Sequence, residues 1–264
     1  GNPRRPEKER GMKMATIGAI YEEIDRLAPF DSCEGFDNVG LLIGCPEIEV
    51  SRALLTLDVT LDAVQEAAEK GCPLIISHHP VIFHPLKSIP FGSVQGELLS
   101  RRIAVISAHT NMDKAHLNAA LARKIGLLDF QPLPEDPCAG EGRLPEPMPL
   151  ERVIGHLAEA LSLQGLRAYD AGKPVRKVML CCGGGGSMVH DAIRRGDDLL
   201  ISGDFKHDQV IDAGNAGLSC IDAGHFETER HFLPLMRALL AGKFPEVQFV
   251  EAGSCRPSFR YYTF

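Results

Sequence analysis

CPLIISHHP, residues 72–80, is the stretch on which the fold turns. Leu74, Ile75 and Ile76 form an unbroken apolar run, which suits a strand in a sheet covered on both faces. The run then breaks into Ser77, His78 and His79, an unusual polar ending for a buried strand. Upstream, TLDAVQEAAEKG (60–71) reads as a helix with Gly71 at its C-terminal end. Before it, ALLTLDVT (53–60) is a strand closing at Asp58, and GFDNVGLLIG (35–44) is a turn-rich loop leading into a short strand. Ile17, Ile20, Ile24 and Leu27 recur at three- and four-residue steps, the spacing of an amphipathic helix that ends before Pro29. Downstream, GSVQGELLSRR (92–102) is helical, RIAVISAHTNMD (102–113) is a second buried strand with a polar end, and LNAALARKIGL (117–127) is helical again. Strands alternating with helices define an α/β lobe.

The pattern then pauses and repeats. QPLPEDPCAGEGRLPEPMP, residues 131–149, is rich in Pro, Gly and acid and reads as a linker between lobes. Beyond it come a helix (150–161), a strand (175–182), a helix (187–196), a strand (197–204), a helix (206–217), a strand (219–225), one long helix (228–244) and a last strand, VQFVEAG (247–253). The expectation is a polar, flexible lead at 1–13, an N-terminal α/β lobe at 14–130, a linker at 131–149 and a C-terminal α/β lobe at 150–264. The last strand is a candidate to complete the first lobe.

With 264 residues, 44% of them hydrophobic and 24% charged, the chain has a globular composition and enough length for two cores. A formal charge of -7 argues against a sequence-independent grip on nucleic acid, which needs a basic surface. No stretch reaches the roughly 18 to 20 apolar residues of a membrane span. Eight cysteines, at 33, 45, 72, 138, 181, 182, 220 and 255, include no CxxC pair. Reduced, mostly buried thiols in the cytoplasm are the reading that follows.

Ligands bind open α/β sheets outside the carboxyl ends of the strands. Four strand ends here carry polar clusters: Ser77 to His79, His109 to Asp113, Gly203-Asp204 followed by Lys206-His207, and Asp222 to His225. Imidazole and carboxylate are ligands for Zn, Fe, Mn, Co or Ni. Adjacent histidines on an extended strand point to opposite sides, so His78 and His79 suit two ions better than one, with a bridging carboxylate between them. His225 and Glu229, four apart at a helix start, share one face. Read alone, the HHP stretch is more often a hydrogen-bonded core or surface feature than a ligand pair; joined with His225, Glu229 and Asp113 it points to a metal site. His109 either replaces Asp113 as a ligand or hydrogen-bonds one. CCGGGGS (181–187) either turns backbone N–H groups of Gly184 and Gly185 toward an anion or is a tight strand-to-helix turn. Its glycines match neither the dinucleotide fingerprint nor the P-loop. Lys206 and His207 fall where a cleft residue would. Histidines 84, 116, 156, 190 and 231 read as ordinary surface or hydrogen-bonded residues.

FDNVGLLIG (36–44), ISHHPVIF (76–83), SAHTNMD (107–113), ISGDFKHD (201–208) and DAGHFETER (222–230), in this order, resemble the family named GTP cyclohydrolase 1 type 2, also called the NIF-three-like proteins. The resemblance implies two intertwined three-layer α/β/α lobes with a cleft holding two divalent metal ions on His78, His79, Asp113, His225 and Glu229. It also implies ring-shaped homohexamers, and an activity that opens the guanine imidazole ring of GTP with release of formate. Phe36 stands where a Trp is frequent in the family, and Lys114-Ala115-His116 where a Gly-containing turn is frequent. Some relatives carry a large inserted domain where this chain has residues 131–149.

Two functions compete at this level. One is a hydrolase in which two metals activate water, His207 or His109 shuttles a proton, and Lys206 with Gly184 and Gly185 orients a small anionic, phosphate-bearing substrate. The other is a non-catalytic metal-binding scaffold or regulatory protein. An open coordination position favours the first, a closed site the second.

Overall fold

The structure, a computed structural model, describes residues 14–262. The lead expected at 1–13 lies outside them. The first half runs β1 (Ala15–Thr16), α1 (Ile17–Leu27), β2 (Gly40–Ile43), β3 (Glu49–Val50), β4 (Arg52–Thr56), α2 (Leu61–Glu69), β5 (Leu74–Ser77), α3 (Val94–Arg101), β6 (Ala104–Ser107), α4 (Thr110–Met112) and α5 (Asn118–Lys124). The second runs β7 (Leu128–Pro132), β8 (Gly140–Met148), α6 (Leu150–Leu161), β9 (Arg167–Tyr169), β10 (Val175–Leu180), α7 (Val189–Arg195), β11 (Leu199–Ser202), α8 (His207–Ala216), β12 (Ser219–Asp222), α9 (His225–Glu229), α10 (Phe232–Ala241) and β13 (Gln248–Glu251). Side-chain caps start three of the helices: Thr16, Thr60 and Ser93 accept from the backbone N–H of Ala19, Ala63 and Gly96.

Two sheets result. The first has the order β13-β4-β5-β6-β2, with β13, β4, β5 and β6 parallel and β2 antiparallel at the edge. The second has the order β7-β8-β10-β11-β12-β9, with a parallel centre of β10, β11 and β12. Strand alternation assigns each side chain to a layer. Leu54, Ile75 and Val105 face outward against α2 and α3, while Met179, Leu200 and Cys220 face outward against α7 and α8. Their neighbours Leu55, Ile76, Ile106, Leu180, Ile201 and Ile221 turn inward and share one core with α1, α5, α6 and α10. Each lobe is therefore a three-layer α/β/α unit. The lobes are intertwined, because β13, after the whole second lobe, returns to pair with β4.

Three expectations need correction. Residues 131–149 do not run free between lobes: β7 and β8 form an antiparallel pair added to the edge of the second sheet. Pro145 and Pro147 do not interrupt this pairing, because residues 144–147 fall in an irregular step of the β8–β10 ladder, beyond the reach of β7. The acid of the stretch is paired as well, Glu141 with Lys177 and Arg195. The long helix expected at 228–244 is two helices with a turn at Arg230–His231. Pro234 has no N–H to give to the Arg230 carbonyl, so the helix cannot run through. Finally, β9 is a strand that the periodicity did not announce.

Candidate metal centre

Both sheets present the carboxyl ends of their central strands to one place. His78 and His79 follow β5, and Asp113 follows the short α4, opening a π-helical turn over Asp113–Leu117. His225 and Glu229 bracket α9, just after β12. Two cross-lobe ties hold this region: the Cys182 N–H donates to Asn118 Oδ1 at 2.8 Å, and Asn118 Nδ2 donates to the Cys138 carbonyl at 2.9 Å.

Glu229 is 3% exposed and stands in the middle. Its Oε1 lies 3.6 Å from His78 Nε2, which is itself 3.5 Å from Asp113 Oδ1. Its Oε2 lies 3.1 Å from His79 Nε2 and 3.2 Å from His225 Nε2. The carboxylate thus faces two separate donor groups, His78 with Asp113 and His79 with His225, each with its ligand atoms within 4.8 Å of one another. His109 adds a third imidazole beside His78 and His79, again within 4.8 Å.

The outer nitrogens decide what the inner ones can do. His78 Nδ1 donates to the Ala108 carbonyl at 2.9 Å, His79 Nδ1 to Asp58 Oδ1 at 2.8 Å, His109 Nδ1 to Asp37 Oδ1 at 2.9 Å and His225 Nδ1 to Asp204 Oδ2 at 2.7 Å. With the proton fixed on Nδ1, each neutral ring turns a lone pair inward from Nε2. His79 Nε2 and His225 Nε2 face each other at 3.3 Å. His78 Nε2, Asp113 Oδ1 and Glu229 Oε2 are buried with no hydrogen-bond partner. Convergent lone pairs without donors are expensive to bury and call for cations.

The same crowding shows in the proton affinities. Without a cation between them, the Glu229 carboxylate beside His225 Nε2 favours a proton on that ring and raises it to about 9 against the cost of burial. Burial lowers His79, but Asp58 and Glu229 outweigh it and bring the ring to about 10. Burial would raise Glu229, yet the surrounding imidazoles hold it well below the usual carboxylate range. Burial, with Glu229 nearby, raises Asp113. Asp37 is held at about 2, burial being overcome by His109 and Thr110.

The glycine-rich turn makes room for the bridging carboxylate. Gly183 has φ +67°, and a Cβ there would meet Glu229 Oε1 at 2.2 Å. Its N–H donates to Thr228 Oγ1 at 3.0 Å. The Gly185 N–H is spent on Ser202 Oγ at 2.7 Å and so is not free for an anion. A Cβ on Gly184 would lie 3.8 Å from both His225 Nδ1 and Asp204 Oδ2, which puts this residue beside the centre. Lys206 is exposed before α8, its N–H donating to Gln209 Oε1. His207 does not join the cluster: it lines a separate cavity of about 240 Å³ with Phe205, Val210 and Cys220. The residues missed by sequence reasoning are the supporting carboxylates. Asp37 sat inside a quoted motif and Asp58 at a strand end without a role, and Asp204 was noted only as part of a polar strand end.

The centre opens on a cleft of about 620 Å³, bounded by His79, His225, Phe226, Arg167, Phe259 and Tyr261 among others. A second acidic grouping, Glu34, Asp136 and Cys138, is already countered by Lys114 Nζ, 2.5 Å from Glu34. Burial also pushes the Cys138 thiol up to about 12, so it does not offer a thiolate.

Fold and site together define a two-sheet α/β protein with a carboxylate-bridged imidazole cluster at the facing strand ends. The sequence profile of the Duf34/NIF3 (NGG1p interacting factor 3) family matches residues 15–254. The chain belongs to that family. A Campylobacter jejuni protein named GTP cyclohydrolase 1 type 2 homolog is 36% identical, covering 82% of this chain and 88% of its own. A Helicobacter pylori protein named GTP cyclohydrolase 1 type 2 is 34% identical over 86% and 92%. Drosophila melanogaster NIF3-like protein 1 is 32% identical over 90% and 85%. A Staphylococcus aureus hypothetical protein of solved structure shares the fold with a TM-score of 0.85 at 23% identity, over 95% of this chain and all of that one. Among the described residues no helix is long and apolar enough to cross a membrane.

Proposed function

We propose that the chain is a dinuclear metal-dependent hydrolase. The observation that carries the reading is the convergence of four imidazole Nε2 lone pairs and two carboxylates, with every Nδ1 tied back. His78, Asp113 and Glu229 Oε1 would hold one divalent ion, and His79, His225 and Glu229 Oε2 the other, from the Zn, Fe, Mn, Co and Ni set. When bound, two such ions supply Lewis acidity and lower the pKa of water in contact with them. Asp58 and Asp204 fix the ring orientations of His79 and His225. His109, held by Asp37, offers Nε2 to the centre as a further ligand or as a proton acceptor. His207, in its separate cavity, is a weaker candidate for that proton.

Two divalent ions would bring four positive charges, which Asp113, Glu229, Asp37, Asp58 and Asp204 more than offset with five negative ones. An anionic substrate would then bind by touching the ions directly, assisted by Gly184 and Lys206, and not through a surplus of positive field. The names of the relatives favour a nucleotide.

The test is metal-reconstituted turnover against a panel of nucleotides and phosphoesters, with Glu229→Ala as the control and elemental analysis alongside. Close to two ions per chain and turnover that Glu229→Ala abolishes are expected. Protein that holds two ions and turns over nothing in the panel overturns the hydrolase in favour of a scaffold.

A further inference from the structure

The segment after β13 straddles the two lobes. At its start the N–H groups of Gly253 and Ser254 donate to the Glu66 carboxylate of α2, at 2.9 and 2.8 Å. Further on, the Tyr261 ring is seated on Gly165 of the second lobe, where a Cβ would lie 3.0 Å from ring carbons. Between these anchors Pro257, Ser258, Phe259 and Tyr261 line the cleft that contains His79 and His225. Phe259 is 87% exposed although it faces this cleft, and Tyr261 is 50% exposed. Large aromatic surface left uncovered beside a metal centre gains free energy when a ligand covers it. Phe226 adds a third ring, and Glu227 supplies a carboxylate acceptor at the polar edge, where Asp222 is already paired with Arg167.

We propose that residues 257–261 are a strap forming one wall of the substrate cleft, and that Phe259 and Tyr261 hold a planar nitrogen-heteroaromatic part of the substrate beside the metal centre. The proposal rests on the hydrolase reading for what the centre does, and names the class of group that accompanies the reacting one. With centre charges near balance, a phosphate group alone gains little selectivity, and the ring contact sets specificity. The Glu227 carboxylate at the edge suits ring N–H donors, and ring-on-ring contact tolerates different bases.

The experiment measures affinities of metal-loaded full-length protein for AMP, GMP and ribose 5-phosphate by calorimetry. The nucleotides are expected to bind about tenfold tighter than ribose 5-phosphate, ~1.4 kcal/mol. The gap should shrink to within about twofold in Phe259→Ala and persist in Phe259→Tyr and in the control Tyr262→Ala, while metal content and ribose 5-phosphate affinity stay constant. Equal binding of all three probes, no binding by either nucleotide, or an unchanged gap in Phe259→Ala overturns the proposal. So does a gap that is lost only when Val210→Trp fills the neighbouring cavity. The two readings separate cleanly: a ring preference that follows Phe259 in protein that neither binds metal nor turns over substrate keeps the strap and removes the hydrolase.

Discussion

Gly183→Ala is the smallest change that strikes the centre without touching a ligand. The new methyl would sit 2.2 Å from Glu229 Oε1, so reaching an ordinary contact near 3.4 Å requires about 1 Å of retreat. Metal–ligand distances tolerate only about 0.2 Å. The carboxylate would have to leave its bridging position, because the His225 Nε2 atom, 3.2 Å from the same methyl, blocks a sideways slide. The positive φ adds strain of roughly 1–2 kcal/mol, which for a chain of this size lowers Tm by roughly 2–8 °C. Gly184→Ala is the matched control, since it has no positive φ and its nearest neighbours are 3.8 Å away. Elemental analysis and calorimetry on both variants decide the matter. Gly183→Ala should lose at least one ion per chain, and Gly184→Ala should keep both. A Gly183→Ala protein that retains two ions would falsify the bridging role of Glu229.

His79→Ala should also lose metal and remain folded, because the ring is held by Asp58 at the cleft and not by the core; exposed His156→Ala should change neither metal content nor Tm. Asp58→Ala, which only releases the His79 ring, should weaken metal affinity by roughly 10- to 100-fold, measured by competition with a chelator; an unchanged affinity means that Asp58 does not orient the ligand. Burial raises the Glu66 carboxyl, but Lys70, Ser254 and the N–H of Gly253 bring it down to about 2. Its folded value is below its unfolded one, so its stabilisation is full above about pH 5 and fades as pH falls toward 2. The Tm difference between the parent and Glu66→Gln, roughly 2–4 °C near neutrality, should close over that window, and a pH-independent difference contradicts it. Light scattering at micromolar concentration should give an oligomer, a hexamer by the family resemblance, and a mass near 28.7 kDa rules it out.

The apolar strands were legible because each is a short buried run, and their polar ends were legible because Ser77-His78-His79 and the segment before Asp113 break those runs abruptly. The pairing of His225 with Glu229 was readable from helical spacing alone. Residues 131–149 misled because proline and acid usually mark exposed linkers, whereas here Pro145 and Pro147 occupy an irregular step in the ladder and Glu141 meets cations from β10 and α7. Asp37 and Asp58 gave no local signal: an aspartate in a turn or at a strand end is ordinary, and only the fold shows that each grips an imidazole. Gly183 carries no signal of its own within the run of four glycines, and only the fold shows that its use is to leave space for Glu229.

The return of β13 to the first sheet has a consequence for synthesis on the ribosome. The edge of that sheet beside β4 stays open until residues 248–251 have emerged, so the N-terminal lobe cannot finish before the C-terminal one has been made. Its unpaired β4 edge is a hazard for misassociation throughout that interval. A chain cut short before Gln248 would already contain His78, His79, Asp113, His225 and Glu229, yet it would carry them on an unfinished scaffold. Completion of the first sheet would then turn on β13 alone.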